Sequence, residues 1–135
     1  MKNRFTSYFS ISFLVFCSLI ILNGCSGNNY EKKQLDKGEL YFDKNIAGEK
    51  IERLGNFINQ CAIFNDEVHK ARIIKADSTY ELSLCVPPEM YNSDQYQSYT
   101  EILAIQLSDD VFDKALLKIH LTDDDFNVKV TKSSH

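Results

Sequence analysis

The chain has 135 residues, with 15 Lys and Arg against 19 Asp and Glu and a formal charge of −4. That length is a prior for one domain, and an acidic balance without a basic stripe excludes the electrostatic footprint of a nucleic-acid binder. Beyond Lys2 and Arg4, residues 25–135 keep 13 basic side chains against 19 acidic ones, so any membrane contact has to come from a lipid chain and not from anionic headgroups.

Residues 1–24 differ from everything after them. They hold Lys2 and Arg4, no acid, and an apolar run from Phe9 to Leu22 broken only by Ser10, Ser12 and Ser18. A positive start followed by an apolar stretch short of the roughly 20 residues of a transmembrane helix predicts a signal peptide. The junction Leu22-Asn23-Gly24-Cys25 resembles the lipobox of bacterial lipoproteins, with an aliphatic residue at −3, a small residue at −1 and the cysteine. The resemblance implies diacylglycerol in thioether linkage on Cys25, cleavage before it and acylation of the new amino group. A thiolate is the nucleophile such a transfer needs. Ordinary signal cleavage prefers small residues at both −3 and −1, and Leu22 breaks that pattern. Two or three acyl chains anchor a protein effectively permanently. Ser26, where an Asp would imply inner-membrane retention, resembles the outer-membrane class, so the expected location is extracytoplasmic and lipid-anchored, facing the periplasm in a Gram-negative envelope.

From Ser26 to Gly38 the chain is polar and aperiodic, which predicts a flexible tether over residues 25–38 averaging roughly 20 Å end to end. The domain proper is predicted over 39–132. Leu40-Tyr41-Phe42 reads as a strand, and Asn45 as the cap of a helix whose Ile51, Leu54, Phe57, Ile58 and Cys61 recur at three- and four-residue spacing. Glu49 and Arg53 stand at i,i+4 on its wet side. Gly55 interrupts the helix at about 1 kcal/mol relative to Ala, which a close crossing with the sheet would explain. A strand near Lys70–Lys75 follows, then one in which Tyr80, Leu82, Leu84 and Val86 alternate with polar residues until Pro87-Pro88 ends it. Asn92 and Gln95 read as a capping box for a second helix carrying Tyr96, Tyr99, Ile102, Leu103 and Leu107 on one broad face. Ala115–Leu121 and Phe126–Val130 are strands with period two, joined at Asp123-Asp124-Asp125. The order β-α-β-β-α-β-β predicts an α+β two-layer sandwich with two helices on one face of a mostly antiparallel sheet, ferredoxin-like or related.

Gly38-Glu39-Leu40-Tyr41, Leu54-Gly55, Val111-Phe112-Asp113, Ile119-His120-Leu121 and Phe126 together resemble a small α+β domain of bacterial proteins. That resemblance implies no activity.

Few residues offer chemistry. With Cys17 in the signal segment and Cys25 lipidated, Cys61 and Cys85 remain, either as a disulfide in an oxidising compartment or as two separately buried thiols. Helix and strand phase points them to opposite sides of the sheet. Asp123–Asp125 lacks the mid-loop Gly and terminal Glu of a Ca²⁺ loop, and His69, His120 and His135 are scattered, so no metal site is expected. There is no nucleophile elbow, phosphate loop or H-E-x-x-H, and no cofactor is expected. The expected function is therefore non-enzymatic: an anchored envelope lipoprotein that binds another envelope protein, of inhibitor or immunity type, through Tyr91 and the acidic residues Asp123, Asp124 and Asp125. The rival readings are a structural envelope component and a small-ligand or enzymatic domain with a pocket between helices and sheet.

Overall fold

A computed structural model describes residues 30–61, 63 and 68–135; Cys25 and the signal segment lie outside them. Among the described residues the elements are β1 (Tyr30–Gln34), β2 (Glu39–Asp43), α1 (Gly48–Gln60), β3 (Lys70–Ala76), β4 (Thr79–Cys85), α2 (Pro88–Tyr91), α3 (Asp94–Asp110), β5 (Leu117–Thr122) and β6 (Val128–Ser133). The fold is α+β, with three helices and one six-stranded mixed sheet whose strands stand in chain order.

One register organises the sheet. Leu40, Ala71, Leu84 and Leu121 are neighbours across β2 to β5, and Phe42, Ile73, Leu82 and Ile119 form the next row. Seven of these eight side chains are buried, Phe42 is half-buried against them, and all belong to one core with Ile51, Leu54, Ile58, Leu103 and Leu107 of the helices. Side chains alternate between faces along a strand, so the intervening residues make a second, polar face. There Lys32, Tyr41, Arg72, Ser83, His120 and Thr131 stand side by side from β1 to β6.

The order differs from expectation in three places. Tyr30–Gln34, within the predicted tether, is the edge strand β1, antiparallel to β2. A charged edge strand carries almost no apolar signal, and its lysines discourage further pairing. Pro88 opens the short helix α2, because a proline lacking an N–H suits the first helical turn as well as it ends a strand. Finally, β2–β3 and β4–β5 are parallel neighbours, whereas ferredoxin-like sheets split each βαβ unit by an intervening strand.

The two crossovers have an unusual geometric relation. β2–α1–β3 and β4–α3–β5 both step the same way across the sheet, but their strands run in opposite directions. Leu54 of α1 and Leu103 of α3 share the core on a single face. Two such connections must be of opposite hand, so one of them departs from the right-handed rule.

Local expectations also shift. α1 starts at Gly48 with Ala47 as an uncapped N-cap, while the Asn45 N–H donates to Asp43 Oδ1 in the preceding turn. Arg53 reaches Asp113 at 3.2 Å and donates to the Asp110 carbonyl, joining α1 to the end of α3. Lys50 pairs with the same carboxylate and, with Arg53, holds the Asp113 carboxyl below its usual range. Gly55 does lie at a close approach. A Cβ there would sit 3.1 Å from Leu35 Cδ2 and 3.2 Å from Lys33 Cε.

Because all five residues of β1 pair with β2 and the Lys33 stem lies against Gly55, β1 is part of the folded unit. Deleting residues 30–34 should lower the thermal midpoint by at least about 4–8 °C, the shift that roughly 1 kcal/mol produces in a domain of this size. Circular dichroism melts of the two chain lengths would measure it, and equal midpoints would mean that β1 adds nothing.

Candidate functional site

β4 and β5 run parallel, and the space outside the carboxyl ends of parallel strands is where open sheets place their sites. β4 runs out at Val86, Pro87 and Pro88. α2 then makes a single turn, closed by Asn92 Nδ2 donating to the Pro88 carbonyl at 3.0 Å. Ser93 caps α3, its Oγ accepting from the Tyr96 N–H at 3.5 Å. The predicted cap residues Asn92 and Gln95 are displaced by one position, because α2 takes Asn92 as its own C-cap.

This geometry brings three of the predicted contact residues together. Tyr91, Asp123 and Asp124 line one concavity of about 330 Å³ with Val86, Pro87 and Pro88. Asp125 is exposed one residue on but does not line it. A second, apolar cavity of about 230 Å³ shares Val86 and lies between α3 and the sheet, where Leu84, Met90, Leu103 and Leu121 are among its walls. Tyr96 and Tyr99 also line it and are exposed. The broad face read from the sequence groups both tyrosines with Leu103 and Leu107, and their exposure separates them from that buried side. The inward arc of α3 is Thr100, Leu103, Ala104, Leu107 and Ser108, which leaves Tyr99 at 51% and Ile102 at 54% exposure, with Tyr96 and Ile105 also exposed. Residues three apart are neighbours on a helix surface, so these four form a winding apolar ridge that ends at the cavity. The signal was present in the sequence: the spacing 100, 103, 104, 107, 108 is itself a complete helical stripe.

The acidic turn has a definite internal division of labour. Asp123 Oδ1 accepts from the N–H groups of Asp125 at 3.0 Å and Asn127 at 2.9 Å, and Oδ2 accepts from Asn127 Nδ2 at 3.0 Å. Lys129 stands 3.4 Å from the same carboxylate. The Asn127 bonds chiefly hold the Asp123 carboxyl down to about 2. Asp123 is thus the fastener of the turn, and Asp124 and Asp125 are its exposed charges.

The remaining candidates are apart. Cys61 is exposed at the end of α1, Cys85 is buried at the end of β4, and both are free thiols. Cys85 pairs with Thr122 on the polar side of the sheet, away from α1, and burial pushes its thiol up. His120 lies on the polar face with Nδ1 2.8 Å from Thr131 Oγ1 and Nε2 3.5 Å from Glu81. Among the described residues no three His, Cys, Asp or Glu side chains converge as metal ligands. Among them, too, no helix is long and apolar enough to cross a membrane.

A family model described as the AF_1994_N family N-terminal domain matches residues 32–134. No curated protein and no solved structure matches the chain.

The depressed Asp123 carboxyl sets a pH dependence. A carboxylate whose folded value lies below its unfolded value of about 3.9 adds stability above that pH, and the gain is lost as pH falls through the folded value. Acidification from about pH 4 to about pH 2 should therefore release the turn, with Asn127 and Lys129 losing their acceptor. Asp123→Asn should flatten this part of the profile. Denaturant midpoints across that window test it, and parallel curves for the two proteins would contradict it.

Proposed function

The chain belongs to the AF_1994_N family as its N-terminal domain, and we propose that it is a non-enzymatic protein-binding module displayed on the outer side of a membrane by a lipid on Cys25. The observation that carries the binding part is the row Tyr96, Tyr99, Ile102 and Ile105, four large apolar side chains exposed on one helix. Contiguous exposed apolar surface of this kind marks interaction sites, and Tyr in particular offers contact area at low entropic cost. The ridge leads into the apolar cavity and toward the Tyr91–Asp124 concavity, which together offer a ridge, a socket and a charged rim.

Charge narrows the partner. Glu89, Asp94, Glu101, Asp124 and Asp125 are all exposed around these features. An acidic rim accelerates capture of a basic partner, so the proposed partner is a basic envelope protein, and the proposed mode is inhibition or immunity by occlusion. The anchoring part rests on Leu22-Asn23-Gly24-Cys25, the segment before it and Ser26. It places the domain at the periplasmic face of an outer membrane where the envelope has two membranes.

Two experiments test the two parts. A photo-crosslinker at Tyr91 in living cells should trap a basic envelope protein, and Ile102→Glu or Tyr99→Glu should reduce trapping at least tenfold while leaving the circular dichroism spectrum unchanged. Trapping of the same chain alone would point to self-association, and undiminished trapping in both variants would remove the ridge from the interface. Separately, Cys25→Ser should release the protein from membranes or arrest its precursor. Normal processing with retained membrane attachment would overturn the lipid anchor.

A further inference from the structure

On the polar face of the sheet, the described surroundings of Arg72 do not account for its charge. In the row Lys32, Tyr41, Arg72, Ser83, His120 and Thr131 the other charged and titratable groups are engaged. Lys32 and the Tyr41 hydroxyl both donate to Glu39, at 3.0 and 2.8 Å, and His120 lies between Thr131 and Glu81. Arg72 differs. Among the described residues no carboxylate comes within ion-pairing distance of it, and its buried Nε bonds to nothing. A charged donor removed from water without an acceptor is a standing cost that the fold itself does not offset.

The guanidinium is nonetheless held in place. Its central carbon lies 4.3 Å from the Phe126 ring centroid on one contact and 5.5 Å from that of Tyr30 on another. Tyr41 meets Phe126 edge-on at 6.4 Å. Phe126 takes this place with φ 63, a left-handed backbone that an aromatic residue adopts only under constraint, and the Asp123 turn supplies that constraint through its bonds to Asp125 and Asn127. Lys70, two residues before Arg72 and on the same face, brings a second positive charge 4.9 Å from the same ring and donates to the Asp124 carbonyl. Ser83 stands opposite Arg72 on β4.

An arginine stacked on rings uses its faces for packing and keeps its edge donors for a planar acceptor. We infer that Arg72, with Lys70 beside it, is a receptor for an oxyanion offering two oxygens, a carboxylate or a phosphate, on the polar face of the sheet. The ligand's oxygens meet the terminal guanidinium nitrogens of the half-buried side chain, which have no acceptor among the described residues, while Nε stays buried between its neighbours. The Tyr30 and Phe126 rings hold the guanidinium so that little ordering accompanies binding.

The test follows the Arg72 Nε–H signal by nuclear magnetic resonance in the ¹⁵N-labelled full chain in non-ionic detergent. Sodium acetate, sodium phosphate and sodium chloride are added at matched ionic strength. Saturable movement with acetate or phosphate at low-millimolar concentration, absent with chloride, supports the site. Preference for acetate assigns a carboxylate ligand and preference for phosphate a phosphoryl group. Arg72→Lys, which keeps the charge and loses the fork, should weaken saturation of the neighbouring Ser83 amide signal tenfold or more. Unsaturable movement in the wild-type protein, movement equal to that with chloride, or Arg72→Lys binding as well as wild type overturns the inference. The wild-type titration decides it even where the variant fails to fold.

Discussion

Every strand from β2 to β5 turns its apolar residues to the same side, and that register governs the rest of the molecule. Leu40, Ala71, Leu84 and Leu121 can bury together only if both long helices cover that side. Because β3 and β4 are antiparallel while β2–β3 and β4–β5 are parallel, covering one face with both helices forces crossovers of opposite hand. The energetic preference broken at one connection is outweighed by burial of an otherwise exposed apolar row. At about 25 cal/mol per Å² of apolar surface, leaving half of such a sheet wet would be far costlier than an unfavourable turn of chain.

The same one-sidedness gives the helices unequal tasks. α1 buries Ile51, Leu54 and Ile58 and turns charged residues outward, where Lys50 and Arg53 clasp Asp113. α3 buries Leu103, Ala104 and Leu107 yet keeps Tyr99, Ile102 and Ile105 on its far side. A helix apolar on both sides within an acidic domain has more adhesive surface than its own core consumes. That surplus sits at the end where β4 and β5 stop and the Asp123 turn begins. The opposite sheet face is of another kind, polar and latticed with hydrogen bonds, and its central arginine is the exception among satisfied neighbours.

The regular part of this fold was legible from alternation and helical spacing, because Tyr80–Leu84, Leu117–Leu121 and Ile51–Ile58 each gather their apolar residues on one buried face. What escaped did so for local reasons. Tyr30–Gln34 is an edge strand whose sequence is as polar as a linker, and Pro87-Pro88 reads as an ending although Pro88 is also a beginning. The site was half visible. Tyr91 and the Asp123 turn were singled out by composition, but their adjacency depends on the parallel pairing of β4 with β5, which no short-range pattern encodes. Tyr96 and Tyr99 were grouped with Leu103 and Leu107 because a low-contrast helix permits more than one inward arc. Arg72 carried no signal, since its environment is made by a ring from a turn about fifty residues away in sequence.

The early start of β1 has a geometric consequence. On a chain anchored at Cys25 as proposed, four residues separate the lipidated cysteine from Tyr30, a reach of at most about 17 Å over five Cα–Cα steps. β1 is the first rung of a sheet whose strands follow in chain order, and six rungs span about 24 Å. The domain would then stand with its N-terminal edge at the headgroups and its rungs stacked outward, which makes sequence position a measure of altitude. α3 lies over β5 and β6, so the apolar ridge would ride on the uppermost rungs, clear of the bilayer and facing the traffic of the compartment.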